Sequence, residues 1–323
     1  MSSIINCVAY EKGVALPPFP LDDVSEIITR PGVFLWVGLL EPDETLLLKI
    51  QEEFGMHELV MEDARSPQQR TKLEAYGESL FLVAKTASIT DDGVIFGETH
   101  LFVGKNFLIT LRHGTSRGYS EVRQRCEKNP QRLALGSGYA LYAILDSIAD
   151  SYLLVLGELR NQFQQLEEEM FDNALPREKL QRIYQLKREL IQLRDATQPL
   201  IDICNELRRF HEDIIPKTMR VYLRDVQDHC HRVIEACDNI REMLIAAMQI
   251  NLALVSIGQN DIVKKLAGWG AILALPTVVF SMYGMNFKFM PELDWHWGYF
   301  GVLGCTFAVG SVLFFKFRRS GWL

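Results

Sequence analysis

Three kinds of hydrophobic pattern follow one another along the chain. Up to about Pro130, apolar runs of strand length alternate with polar turns. "GVFLWVGLL" (32–40) and "SLFLVAKTASI" (79–89) are rich in β-formers. "GVIFGETHLFVGKNFLITLRHG" (93–114) reads as a hairpin turning at Gly104-Lys105-Asn106. Between these runs, Glu41-Pro42-Asp43-Glu44 opens a helix with acids in its first turn, where the helix dipole favours them. From about Tyr139 the apolar spacing becomes three and four residues, over 153–171 and again over 176–195, with a break at Asn173 and Pro176. Asp213 stands as a cap before Pro216, and from there no proline recurs until Pro276 and no glycine until Gly258. A continuous helix over 216–283 would be about 100 Å long at roughly 1.5 Å per residue.

The third pattern is unbroken apolarity. No residue from Leu266 to Phe287 is charged, and from Trp295 to Phe315 the only ionisable groups are His296, Tyr299 and Cys305. Each run is long enough, as a helix, to cross a hydrocarbon layer of roughly 30 Å, so two transmembrane helices in a lipid bilayer are expected. Charge follows the same division. Residues 1–263 hold 28 basic against 39 acidic side chains, net −11, and the remainder holds 6 against 2, net +4. Lys264 and Lys265 precede the first span, and Lys316, Arg318 and Arg319 follow the second. The positive-inside rule then predicts that both termini are cytoplasmic. "MSSIINCVAYEKG" has neither the basic start nor the apolar run of a signal peptide, in keeping with a large domain that is not exported. Six scattered cysteines suit a reducing compartment and predict no disulfides.

Residues 243–257 carry no charge, and Met243, Leu244, Ala247, Ile250, Leu254 and Ile257 form a near-heptad stripe suited to contact between subunits. Two spans per chain cannot enclose a pore, so transport would require oligomerisation. The first span holds small or polar residues fit for a pore wall: Gly268, Gly270, Ala271, Ala274, Thr277, Ser281 and Gly284. The second, Tyr299 to Phe315, suits a lipid-facing ring. His229, Cys230, His231 and Cys237 hold zinc-ligand chemistry on one helical stretch, weighed against packing and surface roles. No nucleophile–base arrangement or phosphate-binding loop is present, so an enzyme is not expected, nor is a nucleic-acid partner.

"YGMNFKFMPELDWHWGY" (283–299) resembles the signature that follows the first span in the CorA family of divalent-cation (magnesium/cobalt) transport proteins, with Gly-Met-Asn as its hallmark. "FGMHELVMEDARSPQQRTKLEAYGESLFLVAK" (54–85), "GKNFLIT" (104–110), "QLKRELIQLR" (185–194), "YLRDVQDH" (222–229) and "KFRRSGWL" (316–323) are similar to family stretches in the same order. The resemblance implies an α+β cytosolic domain, a long-helix stalk and two C-terminal transmembrane helices in a funnel-shaped homopentamer of the inner membrane. The corresponding divisions are 1–138 (α/β domain), 139–215 (helical hairpin), 216–283 (stalk and first span), 284–296 (external loop), 297–315 (second span) and 316–323 (basic tail). It further implies Gly284, Met285 and Asn286 as the selectivity filter, with Asn260 as a polar ring, Leu266 and Ala274 as constrictions and Thr277 as a hydroxyl ring. Gly270 and Ser281 complete the pore-lining set.

Mg²⁺ would be both substrate and regulatory ligand, with Co²⁺ and Ni²⁺ as further substrates and no separate cofactor. Five Asn286 carbonyls can hydrogen-bond a hydrated ion without stripping its water. The family's regulatory cation would bridge Asp225 of the stalk to Asp91 or Asp92 of a neighbouring α/β domain. Two positions depart from the family pattern: Lys288 stands where an acid is common, leaving Glu292 and Asp294 to attract cations, and Ala274 stands where a bulkier residue is common. The alternatives are a ZntB-like zinc transporter, proton-coupled, and a membrane-anchored sensor that transports nothing.

Overall fold

The computed structural model describes residues 3–67, 69–91, 93–114, 118–170, 176–286, 290–293 and 295–323, the side chains of 169, 170 and 292 excepted. It divides into two compact units, one made of Met1–Glu169 and Pro176–Ile245, the other containing Ala246–Leu323.

The first unit is built on a seven-stranded sheet of order β2-β1-β3-β7-β6-β5-β4. Its strands are β1 (Ile4–Glu11), β2 (Val14–Ala15), β3 (Val33–Leu40), β4 (Lys72–Tyr76), β5 (Ser79–Thr90), β6 (Gly93–Val103) and β7 (Phe107–His113). All neighbours are antiparallel except β3 and β7, which pair in parallel, Leu35 opposite Phe107 through Leu40 opposite Arg112. The unbroken apolar run of β3 has a direct cause: the strand is central, and every residue from Val33 to Leu39 is buried. The β6–β7 hairpin turns over Gly104-Lys105-Asn106 as its sequence indicates, with Gly104 N–H donating to the Phe107 carbonyl at 3.0 Å.

Helices α1 (Val24–Ile28), α2 (Glu44–Phe54) and α3 (Glu58–Arg65) cover one sheet face. Val24, Ile27, Leu47, Ile50, Phe54, Val60 and Met61 pack there with Leu35, Val37, Leu39, Ile109 and Leu111. The Asp43 carboxylate caps α2 by accepting from Leu46 N–H at 2.8 Å. Short helices α4 (Ser120–Glu127) and α5 (Pro130–Leu133) follow the sheet. At the β1–β2 turn, Gly13 has φ +82° and its Cα lies against the Pro130 carbonyl, leaving no room for a Cβ.

Two long helices, α6 (Ser137–Met170) and α7 (Arg177–Phe210), follow, and the unit ends within the next long helix at Ile245. The fully buried Tyr152 of α6 donates its hydroxyl to the Lys85 carbonyl on β5, tying helix to sheet. The α/β and helical segments thus belong to one compact unit. Asp213 does not cap the next helix: a 3₁₀ turn, Lys217–Met219, has Pro216 at its N-cap and no side-chain capping bond. The helix proper, α8 (Arg220–Tyr283), then runs 64 residues, and α9 (Gly298–Arg319) runs 22.

By length and apolarity, three helical stretches among the described residues can cross a membrane, not two: Ser137–Glu168, Lys217–Tyr283 and Gly298–Arg319. Burial separates them. The apolar window of the first is 56% buried inside the protein, against 6% and 0% for the other two. The first is therefore a core helix, and the other two leave their apolar surface for another solvent.

Candidate functional site

From Met219 at the end of the 3₁₀ turn and on along α8, the buried residues Met219, Leu223, Val226, Cys230, Val233, Cys237, Ile240 and Leu244 alternate four and three apart. This is a heptad seam, and it fixes what the residues beside it do. Cys230 and Cys237 are seam residues whose thiols burial pushes up to about 12. His231 is exposed, and His229 stands on the flank facing α6. The four zinc-type residues therefore do not converge, because successive helical positions diverge by about 100°.

A different cluster forms on that flank. Asp225 and His229 are one turn apart on α8, and Asp146 and Asp150 are one turn apart on α6, so each pair shares a face. His229 Nδ1 lies 3.7 Å from Asp150 Oδ1, and its Nε2 lies 3.9 Å from Asp225 Oδ1. Ligand atoms of Asp146, Asp150 and His229 all fall within 4.8 Å of one another. The cost of holding these charges together shows in Asp146. Burial raises its pKa first and the carboxylates of Asp150 and Asp225 add to this, opposed by His229 and Arg125. Two carboxylates and an imidazole offer oxygen ligands to a hydrated hard cation, and a nitrogen that favours Co²⁺, Ni²⁺ or Zn²⁺. About one turn before Asp146 and Asp225 on their helices, the Tyr142 and Tyr222 rings stand 5.0 Å apart, and after burial those two carboxylates raise the Tyr142 pKa.

Of the acids expected to hold a regulatory cation, Asp225 stands exposed beside this cluster, 3.9 Å from His229 Nε2, and is not one of the three residues whose ligand atoms converge. Asp91 is exposed in the turn after β5, and Asp92 lies outside the described residues. Sequence reasoning missed Asp146 and Asp150. Their signal was available: "YALYAILDSIADSYLLVL" is a helical stretch whose only charges are two acids one turn apart.

In the second unit, α8 closes with Gly284 N–H donating to the carbonyls of Phe280 at 3.1 Å and Ser281 at 3.2 Å. Met285 and Asn286 follow, both exposed. Pro276 removes one backbone donor from the span, and Thr277 Oγ1 donates to the Leu273 carbonyl at 2.9 Å. The half-buried residues of the span, Ile272, Leu275, Pro276 and Val279, form one face, and three of them line an apolar cleft with Leu303, Phe307 and Phe314 of α9. At about 100° per residue, Leu266, Gly270, Ala274, Thr277 and Ser281 fall on the opposite face, with Asn260 at its edge. All six are exposed. Lys288 and Asp294 lie outside the described residues, as does the side chain of Glu292.

Comparison with known proteins extends over nearly the whole chain. The cobalt/magnesium transport protein CorA of Thermotoga maritima is 29% identical over 292 residues, covering 89% of this chain and 83% of that protein. The complete structure of the CorA magnesium transporter from Methanocaldococcus jannaschii superposes with a TM-score of 0.81 at 22% identity, covering 99% of each chain. The full-length CmaX protein does so with a TM-score of 0.77 at 16% identity, covering 98% of this chain and 97% of the other. At such identities the two structures establish the shared fold: a soluble α/β domain, a long helix and C-terminal helices. The profile of the CorA-like Mg²⁺ transporter proteins matches residues 31–319, and the chain belongs to that family.

Proposed function

We propose that this chain forms a homopentameric channel that takes up hydrated Mg²⁺, and also Co²⁺ or Ni²⁺, across the inner membrane, with both termini in the cytoplasm. One observation carries the reading: the long helix α8 leads into Gly284-Met285-Asn286 and exposes Gly270, Ala274, Thr277 and Ser281 on the face turned away from α9, whereas Gly268 is covered by Leu323 and is not part of that face. Repeated around a fivefold axis, that face would line a pore. Asn286 would form a ring of neutral amide oxygens at the mouth, which can hold an ion through its water shell and release it inward. Leu266 and Ala274 would form the constrictions, Thr277 the hydroxyl ring and Asn260 the inner polar ring. An inside-negative potential of 100 mV supplies about 4.6 kcal/mol per divalent ion, sufficient to drive uptake without nucleotide hydrolysis. The reading is a transporter rather than an enzyme.

Regulation follows from the cluster around Asp225. A cation held among Asp146, Asp150, His229 and Asp225 would neutralise acids that otherwise repel, and a neighbouring subunit's Asp91 or Asp92 would complete its ligands. Falling cytosolic Mg²⁺ would release that cation and loosen the closed assembly.

Uptake by liposomes tests the reading. The wild type should pass Mg²⁺ without a proton gradient, and Asn286→Ala should fold as the same oligomer and lose most of that flux. Normal Mg²⁺ flux through Asn286→Ala would sink the filter assignment. Zn²⁺ flux that requires a proton gradient, with no Mg²⁺ flux, would replace it by the zinc-transporter alternative.

A further inference from the structure

The basic end of α9 is more than a count of charges. After Lys316, Arg318 and Arg319 the chain turns back through Gly321, whose φ is +74°. Ser320 N–H donates to the Lys316 carbonyl at 3.0 Å, Gly321 N–H to the Arg318 carbonyl at 3.4 Å and Trp322 N–H to the Phe317 carbonyl at 2.9 Å. These bonds close the turn. The Trp322 ring then stacks on Phe317, centroids 5.6 Å apart and planes within 16°. Leu323 covers Gly268 of α8, where a Cβ would stand 3.4 Å from the leucine side chain. Gly268 lies half a turn beyond Leu266 within α8, so the turn is fixed to the same helix that leads into Asn286.

The cations on this turn are left without anions. Lys264 is satisfied by Asp261 at 3.2 Å. Lys265, Lys316, Arg318 and Arg319 are exposed, and none has a carboxylate within 4.0 Å among the described residues. Four cations thus stand at one end of two spans whose apolar faces need lipid, beside a half-exposed tryptophan of the kind that settles at a membrane interface. Setting the orientation of the spans would require only that these charges be present, and a free tail would serve. A closed turn with a stacked tryptophan, packed against α8, holds the charges in a fixed array instead.

We propose that Lys265, Lys316, Arg318, Arg319 and Trp322 form a binding site for the phosphate headgroup of an anionic glycerophospholipid. Arg318 and Arg319 offer forked donors to the phosphate oxygens, the two lysines add point charge, and the Trp322 ring lies along the glycerol and upper acyl region. The inference rests on the membrane-embedded reading of α8 and α9, but not on the ion that is transported.

The test uses the full-length protein in phosphatidylcholine vesicles containing brominated phosphatidylglycerol or brominated phosphatidylcholine as fluorescence quenchers. The Trp322 signal is the difference between the wild type and Trp322→Phe. Wild-type Trp322 should be half-quenched at a mole fraction of phosphatidylglycerol at least about fivefold below that of phosphatidylcholine, the gain expected from one or more cations near a phosphate. Lys316→Gln/Arg318→Gln/Arg319→Gln should lose the preference, and Arg318→Lys/Arg319→Lys should keep most of it. If the triple variant fails to reconstitute, Arg318→Gln/Arg319→Gln carries the comparison. Equal quenching by the two lipids in the wild type, or an undiminished preference in the glutamine variants, would overturn the proposal. Ion flux is not read, so the outcome is separate from that of the transport assay.

Discussion

Asp146→Asn separates a cation-binding cluster from an ordinary group of surface acids. The substitution keeps the side chain's shape and removes one negative charge from a group whose ligand atoms lie within 4.8 Å. Two unit charges at that distance repel by roughly 0.9 kcal/mol in bulk water and by roughly 3.5 kcal/mol at an effective dielectric constant of 20. The Asp150 side chain is 47% exposed, so solvent screening brings the expectation toward the lower figure, about 1 kcal/mol. Without divalent cations, Asp146→Asn should therefore be the more stable protein, by about 2–4 °C for a unit of this size. With Mg²⁺ or Co²⁺ present the order should reverse, because the wild type gains binding energy that the variant has lost. Thermal unfolding of the detergent-solubilised full-length protein, in chelator and then in each cation, reads both effects. The sign with pH is also fixed. The raised pKa of Asp146 means that the folded state holds this proton to higher pH than the unfolded state. The cation-free wild type therefore loses stability as pH rises through the folded value, and the variant should show a flatter profile there. A variant that melts lower in chelator, with an unchanged shift on adding cation, would refute the reasoning.

Three further substitutions probe the scaffold. Glu98 is nearly buried; burial opposes its ionisation, yet hydrogen bonds from His100 and Lys85 lower its pKa from 4.5 to about 2. Its stabilising contribution is complete above about pH 4.5 and is lost as pH falls toward about 2, so Glu98→Gln should flatten the acid limb of stability and cost about 2–3 kcal/mol at pH 7 in urea unfolding. Asp43→Ala removes the cap on Leu46 N–H and should cost about 1 kcal/mol by the same measurement. Gly13→Ala meets both a positive φ and the Pro130 carbonyl, and should cost at least about 2 kcal/mol; a neutral result would mean that the β1–β2 turn is free to move away from α5.

What the sequence made legible was local. The apolar runs of β3 and β5 and the Gly104-Lys105-Asn106 turn each depend on neighbours within a few residues and occur where their pattern indicates; at Glu41-Pro42-Asp43-Glu44 a helix does open, but only Glu44 lies in its first turn and Asp43 is its cap. The face of α8 that carries Gly270, Ala274, Thr277 and Ser281 is equally a matter of spacing along one helix. The Asp146–Asp150–His229 cluster is not local, since it exists only because α6 and α8 run side by side, about eighty residues apart in the chain. The packing and surface roles expected of the His229, Cys230, His231 and Cys237 stretch hold for Cys230, Cys237 and His231, while the partners of His229 were not legible for the same reason. Adjacent in sequence, His229 and Cys230 face the α6 acids and the core seam respectively, and only the heptad register of α8 separates them. Asp213 gave a capping residue at a plausible distance from a helix, but the chain there takes a 3₁₀ turn behind Pro216, which fixes the backbone without its carboxylate.

The register of α8 also argues for partners beyond the single chain. The seam that begins at Met219 is buried through Leu244, and then the helix changes character. Met243, Ile250, Leu254 and Ile257 remain 46%, 46%, 41% and 59% exposed, although no charge interrupts residues 243–257. Four large apolar side chains along fifteen residues of one helix are too contiguous to face water as scattered surface residues do. They precede Lys264 and Lys265, so they lie before the charged boundary at which the span begins and cannot all be assigned to lipid. A second α8 at the same level would bury them at the heptad spacing they already hold, and symmetry would make every such contact identical around a ring. Ile250→Asp or Leu254→Asp should therefore shift the solubilised protein toward monomer in light scattering while leaving the α/β unit folded. A variant that keeps the wild-type mass would show that this stripe is covered by something other than a second copy of the chain.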